Sequence, residues 1–121
     1  MQYLLLIYND ESAAPDPASP EMAAAMKDYG AFTQAIRDSG HYKGGNPLQS
    51  VATATSVRVR DGKTLLTDGP FAETAEQLGG YYLIEAANLD EANAIAARVP
   101  GARWGTIEVR PIWAMGASAS A

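Results

Sequence analysis

The chain has 121 residues, enough for one domain, and its 47% hydrophobic and 19% charged content is that of a globular protein, not of a disordered one. Fourteen acids against nine bases leave a net charge of −5, which disfavours a nucleic-acid partner, since binding phosphates needs clustered Lys and Arg. The absence of cysteine excludes disulfides, thiolate nucleophiles and Cys-ligated metal centres, and a single histidine, His41, rules out a multi-histidine metal site within one chain.

Tyr3-Leu4-Leu5-Leu6-Ile7-Tyr8 is a continuous apolar run bounded by Asn9-Asp10, which predicts a buried strand. It is too short to cross a bilayer and no basic segment precedes it, so a soluble, cytoplasmic domain without membrane contact is expected. Residues 11–19, with Pro15 and Pro17, read as a loop. Ser19-Pro20-Glu21 is a helix start, and Met22, Met26, Tyr29, Thr33 and Ile36, with Phe32 beside them, give one mostly apolar helix face that Gly40 ends. Thr53 to Arg60 alternates as a strand, Asp61-Gly62 is a type I′ turn signal, and Lys63 to Asp68 returns as the second strand of a hairpin. Leu78 to Ala86 is a further strand. Asn88-Leu89-Asp90-Glu91 resembles a capping box, followed by the stripe Ala92, Ile95, Ala96 and Val99 and a stop at Pro100-Gly101. Trp104 to Ile112 alternates as the last strand.

The order β-α-β-(hairpin)-β-α-β predicts an α+β fold, a ferredoxin-like split βαβ sandwich with an inserted β-hairpin. The domain spans 1–113, and 114–121 is a small-residue tail that buries little and is expected to be flexible. Both faces of the first strand are apolar, Tyr3/Leu5/Ile7 and Leu4/Leu6/Tyr8, whereas two helices cover only one side of a sheet. A second copy is therefore expected on the other side, as a homodimer through the sheet face; the alternative is a face partly covered by the Asp68–Gln77 loop and the tail.

Asp68 stands out among the polar residues. A two-residue Asp61-Gly62 turn pairs Arg60 with Lys63, Val59 with Thr64, Val57 with Leu66 and Thr55 with Asp68. Period two then sets Asp68 on the face of Val57, Val59 and Leu66, where desolvation would favour its protonated form and suit acid–base chemistry. The alternative is a turn cap, with the carboxylate accepting backbone N–H bonds in Asp68-Gly69-Pro70-Phe71. His41, next to the helix-ending Gly40, is either a proton carrier or a surface histidine favoured by the helix terminus. Tyr29 reads as core or as a site hydroxyl that needs a partner. Gly79-Gly80 fits a close backbone approach or a bulge, and Arg58, Arg60 and Lys63 form a basic strip that is either a carboxylate holder or a solvated edge. Glu73 and Glu76 lack histidine neighbours and give a weak metal signal; no phosphate loop or serine elbow is present.

Taken together, Tyr3-Leu-Leu-Leu-Ile-Tyr8, Thr53-Ala-Thr-Ser-Val-Arg-Val-Arg-Asp-Gly-Lys63, Thr67-Asp-Gly-Pro-Phe-Ala-Glu73, Gln77-Leu-Gly-Gly-Tyr-Tyr-Leu-Ile84 and Val109-Arg-Pro-Ile112 resemble the YCII-related family, in its DGPF-domain branch, over about residues 1–113. The resemblance implies a dimeric α+β barrel-like fold and a His–Asp pair in a cleft between sheet and helix, used in some relatives for lyase- or isomerase-type steps on small cyclic or aromatic acids. The aspartate falls on Asp68. The histidine position, counted back from Gly40, falls on Tyr29, and Ala75 stands where the branch often has lysine. A phenol with pKa near 10 is a poor base at neutral pH but donates hydrogen bonds well. The expectation is a metal-free, cofactor-free site with Asp68 as acid or base and Tyr29 orienting a small molecule. Gly69, Pro70, Phe71 and Tyr82 would form its walls, with Arg58 and His41 as further binding candidates. The resemblance also implies the alternative of a non-catalytic dimeric sensing or regulatory module linked to an extracytoplasmic-function sigma factor.

Overall fold

A computed structural model describes residues 1–115; the tail expected from residue 114 onward lies almost wholly outside the described residues. The apolar run folds as β1 (Gln2–Asn9), and the capped apolar stripe as α1 (Pro20–Asp38). They are followed by β2 (Tyr42–Pro47), β3 (Thr55–Arg60), β4 (Lys63–Asp68), β5 (Gln77–Glu85), α2 (Leu89–Arg98) and β6 (Thr106–Pro111). Four strands form one antiparallel sheet in the order β2-β5-β1-β6, which is the split βαβ arrangement, and β3 and β4 form a separate two-stranded sheet.

Local signals set the element ends. The Ser19 side chain accepts from Met22 N at 3.2 Å, Pro20 opens α1, and Gly40 (φ +81°) turns the chain out of it. At α2 the Asn88 side chain accepts from Glu91 N and the Glu91 carboxylate accepts from Ala87 N, each at 2.9 Å, so two otherwise orphaned amides are satisfied reciprocally. The hairpin turn has positive φ at both central residues, 52° at Asp61 and 74° at Gly62, as a type I′ turn requires. Its pairing is that read from the turn, including Thr55 with Asp68.

Both helices pack on one side of the sheet. Tyr3, Leu5 and Ile7 of β1 and Tyr82 and Ile84 of β5 meet Phe32 and Ile36 of α1 and Ala92, Ile95 and Ala96 of α2, with Val99 just beyond α2. Leu5, Ile36, Ile84 and Val99 are fully buried, each worth about 1.5–3 kcal/mol relative to leaving the side chain in water. The opposite face carries Leu4, Leu6, Tyr81 and Leu83, all half-buried, with no helix over it among the described residues.

Three expectations need correction. Met26 is 62% exposed, because complete burial along α1 is confined to Phe32 and Ile36 farther down the helix. Thr53 and Trp104 lie outside the strands assigned to them: Val51–Thr53 and Pro100–Arg103 are 3-10 turns, and Trp104 terminates the second. The Val57/Val59/Leu66 face meets no core. It is open to solvent, because the hairpin projects from the body as its own sheet.

Candidate functional site

Tyr29 lies in the middle of α1, and its hydroxyl accepts a hydrogen bond from Gly101 N at 3.1 Å. Gly101 belongs to the 3-10 turn that Pro100 starts after α2, and it is buried. A Cβ there would stand 2.5 Å from the Tyr29 hydroxyl and 3.3 Å from Ile7 Cγ2, so only glycine lets helix, turn and the carboxyl end of β1 meet at this point. The Tyr29 phenolic proton finds no acceptor among the described residues and is free to donate. Burial pushes the phenol above its ordinary 10.0, against the Gly101 hydrogen bond, which favours the ionised form. At neutral pH the group is therefore a neutral donor. Arg103 holds the same turn against α1 through Asp28, at 2.9 Å, and a shallow groove between Asp28, Phe32, Val99 and Arg103 runs alongside.

Asp68 ends β4. Gly69 follows at φ +96°, a left-handed conformation that suits glycine, and donates its N–H to Ala54 O at 2.7 Å, while Ser56 Oγ donates to Gly69 O at 2.9 Å. The turn is thus held by backbone and Ser56. The Asp68 carboxylate is exposed and accepts no hydrogen bond among the described residues, so one copy of the chain supplies neither of the two environments considered for it. Pro70 is half-buried, and Phe71 is 81% exposed.

Residues without a sequence signal fasten this loop. Glu11 N donates to Gln77 Oε1 at 2.9 Å, and the Glu11 carboxylate accepts from Ser50 Oγ at 2.8 Å and Val51 N at 3.1 Å. Gln77 Nε2 donates to Thr74 O at 2.7 Å, and Thr106 Oγ1 donates to the Glu76 carboxylate at 2.9 Å. Because Gln77 pairs with Asn9, the hairpin root and the loop after Asp68 attach at the carboxyl end of β1. That is the end where Ile7 and Tyr29 meet Gly101. A lone Glu opening a 3-10 turn and a lone Gln at the first position of β5 have no pattern that announces such a role.

The remaining candidates are dispersed. Tyr82 is in the core, 9% exposed, sharing a 2.7 Å hydrogen bond with Thr33 Oγ1 and meeting Phe32 edge-on at 5.3 Å. Gly45 makes room for it, since a Cβ there would come within 2.8 Å of the ring. Gly79 sits at a register shift between Ile7 and Tyr8, a bulge. Arg58 is exposed on the hairpin face opposite Asp68. His41 lies at the other end of the sheet, where its carbonyl accepts from Glu85 N. Its ring joins Ser39 Oγ (2.6 Å) to Glu91 Oε1 (3.3 Å), linking the end of α1 to the start of α2. Among the described residues no cluster of three or more His, Asp or Glu could hold a metal, and no helix is long and apolar enough to cross a membrane.

An uncharacterized protein of Rhizobium meliloti (strain 1021) is 39% identical over 114 residues, covering 93% of this chain and 92% of the relative. A solved structure of 5-chloro-2-hydroxyhydroquinone dehydrochlorinase (TftG) from Burkholderia phenoliruptrix AC1100, in complex with 2,5-dihydroxybenzoquinone, superimposes with a TM-score of 0.54 at 15% identity, over 93% of this chain and 94% of that one. At that identity the likeness speaks for the fold. The model of the YCII-related domain matches residues 1–116, and the chain belongs to the YCII-related family.

Proposed function

We propose that the chain binds a small, oxygen-bearing ring compound at the carboxyl end of β1, where Tyr29 donates a hydrogen bond to a ligand oxygen and Asp68 moves a proton. One observation carries this reading. The Tyr29 hydroxyl is half-buried, already takes the Gly101 N–H, and keeps its own proton unspent at the end of the sheet where the Asp68–Phe71 loop attaches. A buried neutral donor aimed at an oxygen that becomes anionic is what an elimination or isomerisation step uses. A carboxylate at the rim accepts the proton leaving a ring carbon and returns it in the reverse sense. Gly69 and Pro70 shape the rim, Phe71 is free to fold over a ligand, and Tyr82 supports Tyr29's helix from behind. TftG, on the same fold, is named for a dehydrochlorination and holds a dihydroxybenzoquinone, which is the class of ligand proposed here.

A homodimer belongs to this reading, because Leu4, Leu6, Tyr81 and Leu83 leave an apolar sheet face uncovered. A non-catalytic sensing module is favoured by one fact, the exposure of Asp68. Calorimetric titration of 2,5-dihydroxybenzoquinone into the wild-type chain, Tyr29→Phe and Asp68→Asn separates the two. Loss of one hydrogen bond to a ligand oxygen should weaken binding by Tyr29→Phe about tenfold, or ~1.4 kcal/mol. Solvent-deuterium exchange into the bound ring should vanish in Asp68→Asn. Binding that ignores both substitutions sinks the site, and binding without exchange in the wild type leaves the sensing module.

A further inference from the structure

We propose that Ser39, His41 and Glu91 form a nucleophile–base–carboxylate relay, a second reactive site that takes an acyl group from an activated ester. It lies at the other end of the sheet from Tyr29 and is independent of the ring-compound site proposed above.

The three side chains meet where α1 ends and α2 begins. Ser39 is the C-cap of α1, His41 follows the left-handed Gly40 just ahead of β2, and Glu91 lies in the first turn of α2. Ser39 Oγ is 2.6 Å from His41 Nδ1, and His41 Nε2 is 3.3 Å from Glu91 Oε1. Their chemistry fixes where the protons sit. The Glu91 carboxylate is held below its ordinary 4.5, chiefly by the Ala87 N–H, so at neutral pH it is ionised and can only accept. In the neutral ring Nε2 therefore carries the proton, and Nδ1 is left to accept the Ser39 hydroxyl. Ile36 O, at 3.2 Å, is that hydroxyl's more distant acceptor. A hydroxyl bonded to an imidazole nitrogen, with the far side of the ring held by a carboxylate, is the arrangement that activates serine. Ser39 is exposed, so a reagent reaches its oxygen, while the His41 side chain is only 24% exposed and is held from both sides.

The reaction balances with the ester and water alone. Ser39 Oγ attacks the acyl carbon, the bond from that carbon to the leaving oxygen breaks, and the hydroxyl proton passes to His41 Nδ1. Glu91 and the partial negative charge at the end of α1 favour the imidazolium so formed. Water then hydrolyses the acyl-serine and restores the hydroxyl. The backbone sets the substrate class. Ser39 N is spent on Ala35 O, Gly40 N on Arg37 O and His41 N on Ile36 O, so none of these amides serves a developing oxyanion. The site therefore depends on a good leaving group: it reacts with aryl esters and leaves peptide amides alone.

The test treats the full chain with p-nitrophenyl acetate, follows nitrophenolate release and locates the acetyl group by peptide mass spectrometry, with circular dichroism of each variant as the control for folding. Ser39 should be acetylated in the wild type, and nitrophenolate release should fall in Ser39→Ala. His41→Asn, whose amide can still bond Ser39 but takes up no proton, should slow Ser39 acetylation about a hundredfold. Glu91→Gln keeps an acceptor for Ala87 N and loses the charge. It should slow the reaction and also shift the His41 ring-nitrogen resonances away from the Nε2–H form, which a mere cap of α2 would leave unchanged. Acetyl groups confined to lysines and the amino terminus would overturn the relay. So would Ser39 acetylation that keeps its rate in His41→Asn or in Glu91→Gln.

Discussion

The contact between Tyr29 and Gly101 can be dissected by a double-mutant cycle. Tyr29→Phe removes the oxygen that accepts the buried Gly101 N–H at 3.1 Å, and an orphaned buried amide costs about 1–3 kcal/mol. Gly101→Ala introduces a methyl 2.5 Å from that oxygen and 3.3 Å from Ile7 Cγ2. The hydroxyl must move away, and overpacking of this kind costs about 1–3 kcal/mol. The two losses share one hydrogen bond. Once Tyr29 is Phe, the alanine methyl is crowded only by Ile7, where a few tenths of an ångström of give suffices, and the ring's Cζ stands at an ordinary 3.8 Å. The double variant should therefore be more stable than the sum of the singles implies, with a coupling of about 1–2 kcal/mol. Urea unfolding of the four proteins under identical conditions, read by far-ultraviolet circular dichroism, gives the cycle directly. Costs that add to within ~0.5 kcal/mol would refute the packing of the hydroxyl against the turn.

Other consequences are simpler to measure. Leu5→Ala empties a fully buried position between sheet and helices and should lower unfolding free energy by about 2–5 kcal/mol in urea. Glu91 is held below its ordinary 4.5 chiefly by the Ala87 N–H and then by His41. Its folded pKa is the lower one, so its stabilisation is complete above 4.5 and is lost as the pH falls through the depressed value. The stability gap between wild type and Glu91→Gln should accordingly shrink as the pH drops below 4.5, and a gap that widens there contradicts the assignment. Ser19→Ala, which removes the acceptor for Met22 N, should cost about 1 kcal/mol.

Much of the fold was legible because strong local rules agree with the tertiary structure. Asp61-Gly62 demands two positive φ angles, and once that turn is accepted the hairpin register follows by counting. Asn88 and Glu91 cap α2 reciprocally, and the stripe Ala92, Ile95, Ala96 and Val99 is buried throughout. The residues of β2 were not legible. Tyr42-Lys43-Gly44-Gly45-Asn46-Pro47 has neither alternation nor β-branched side chains; it is an edge strand whose glycine leaves space for Tyr82. For the candidate site, the parity of Asp68 with Val57 and Leu66 could be counted from the turn, but not whether a core lies opposite them. That is a tertiary fact, and here the face is open. Tyr29 could be placed on the inner stripe of α1. Its partner could not, because Gly101 lies 72 residues away and its signal is only the absence of a side chain.

The proposed function requires that Tyr29 and the loop after Asp68 serve one binding site. The most direct test is an amide-resolved nuclear magnetic resonance titration with the quinone, following the Gly101 and Gly69 N–H signals. Gly101 reports on the Tyr29 hydroxyl it donates to, and Gly69 on the turn that carries Asp68. If they share the site, both move with the same apparent dissociation constant while His41, at the far end of the sheet, stays still. Movement of one without the other, or a response centred on His41, would contradict it.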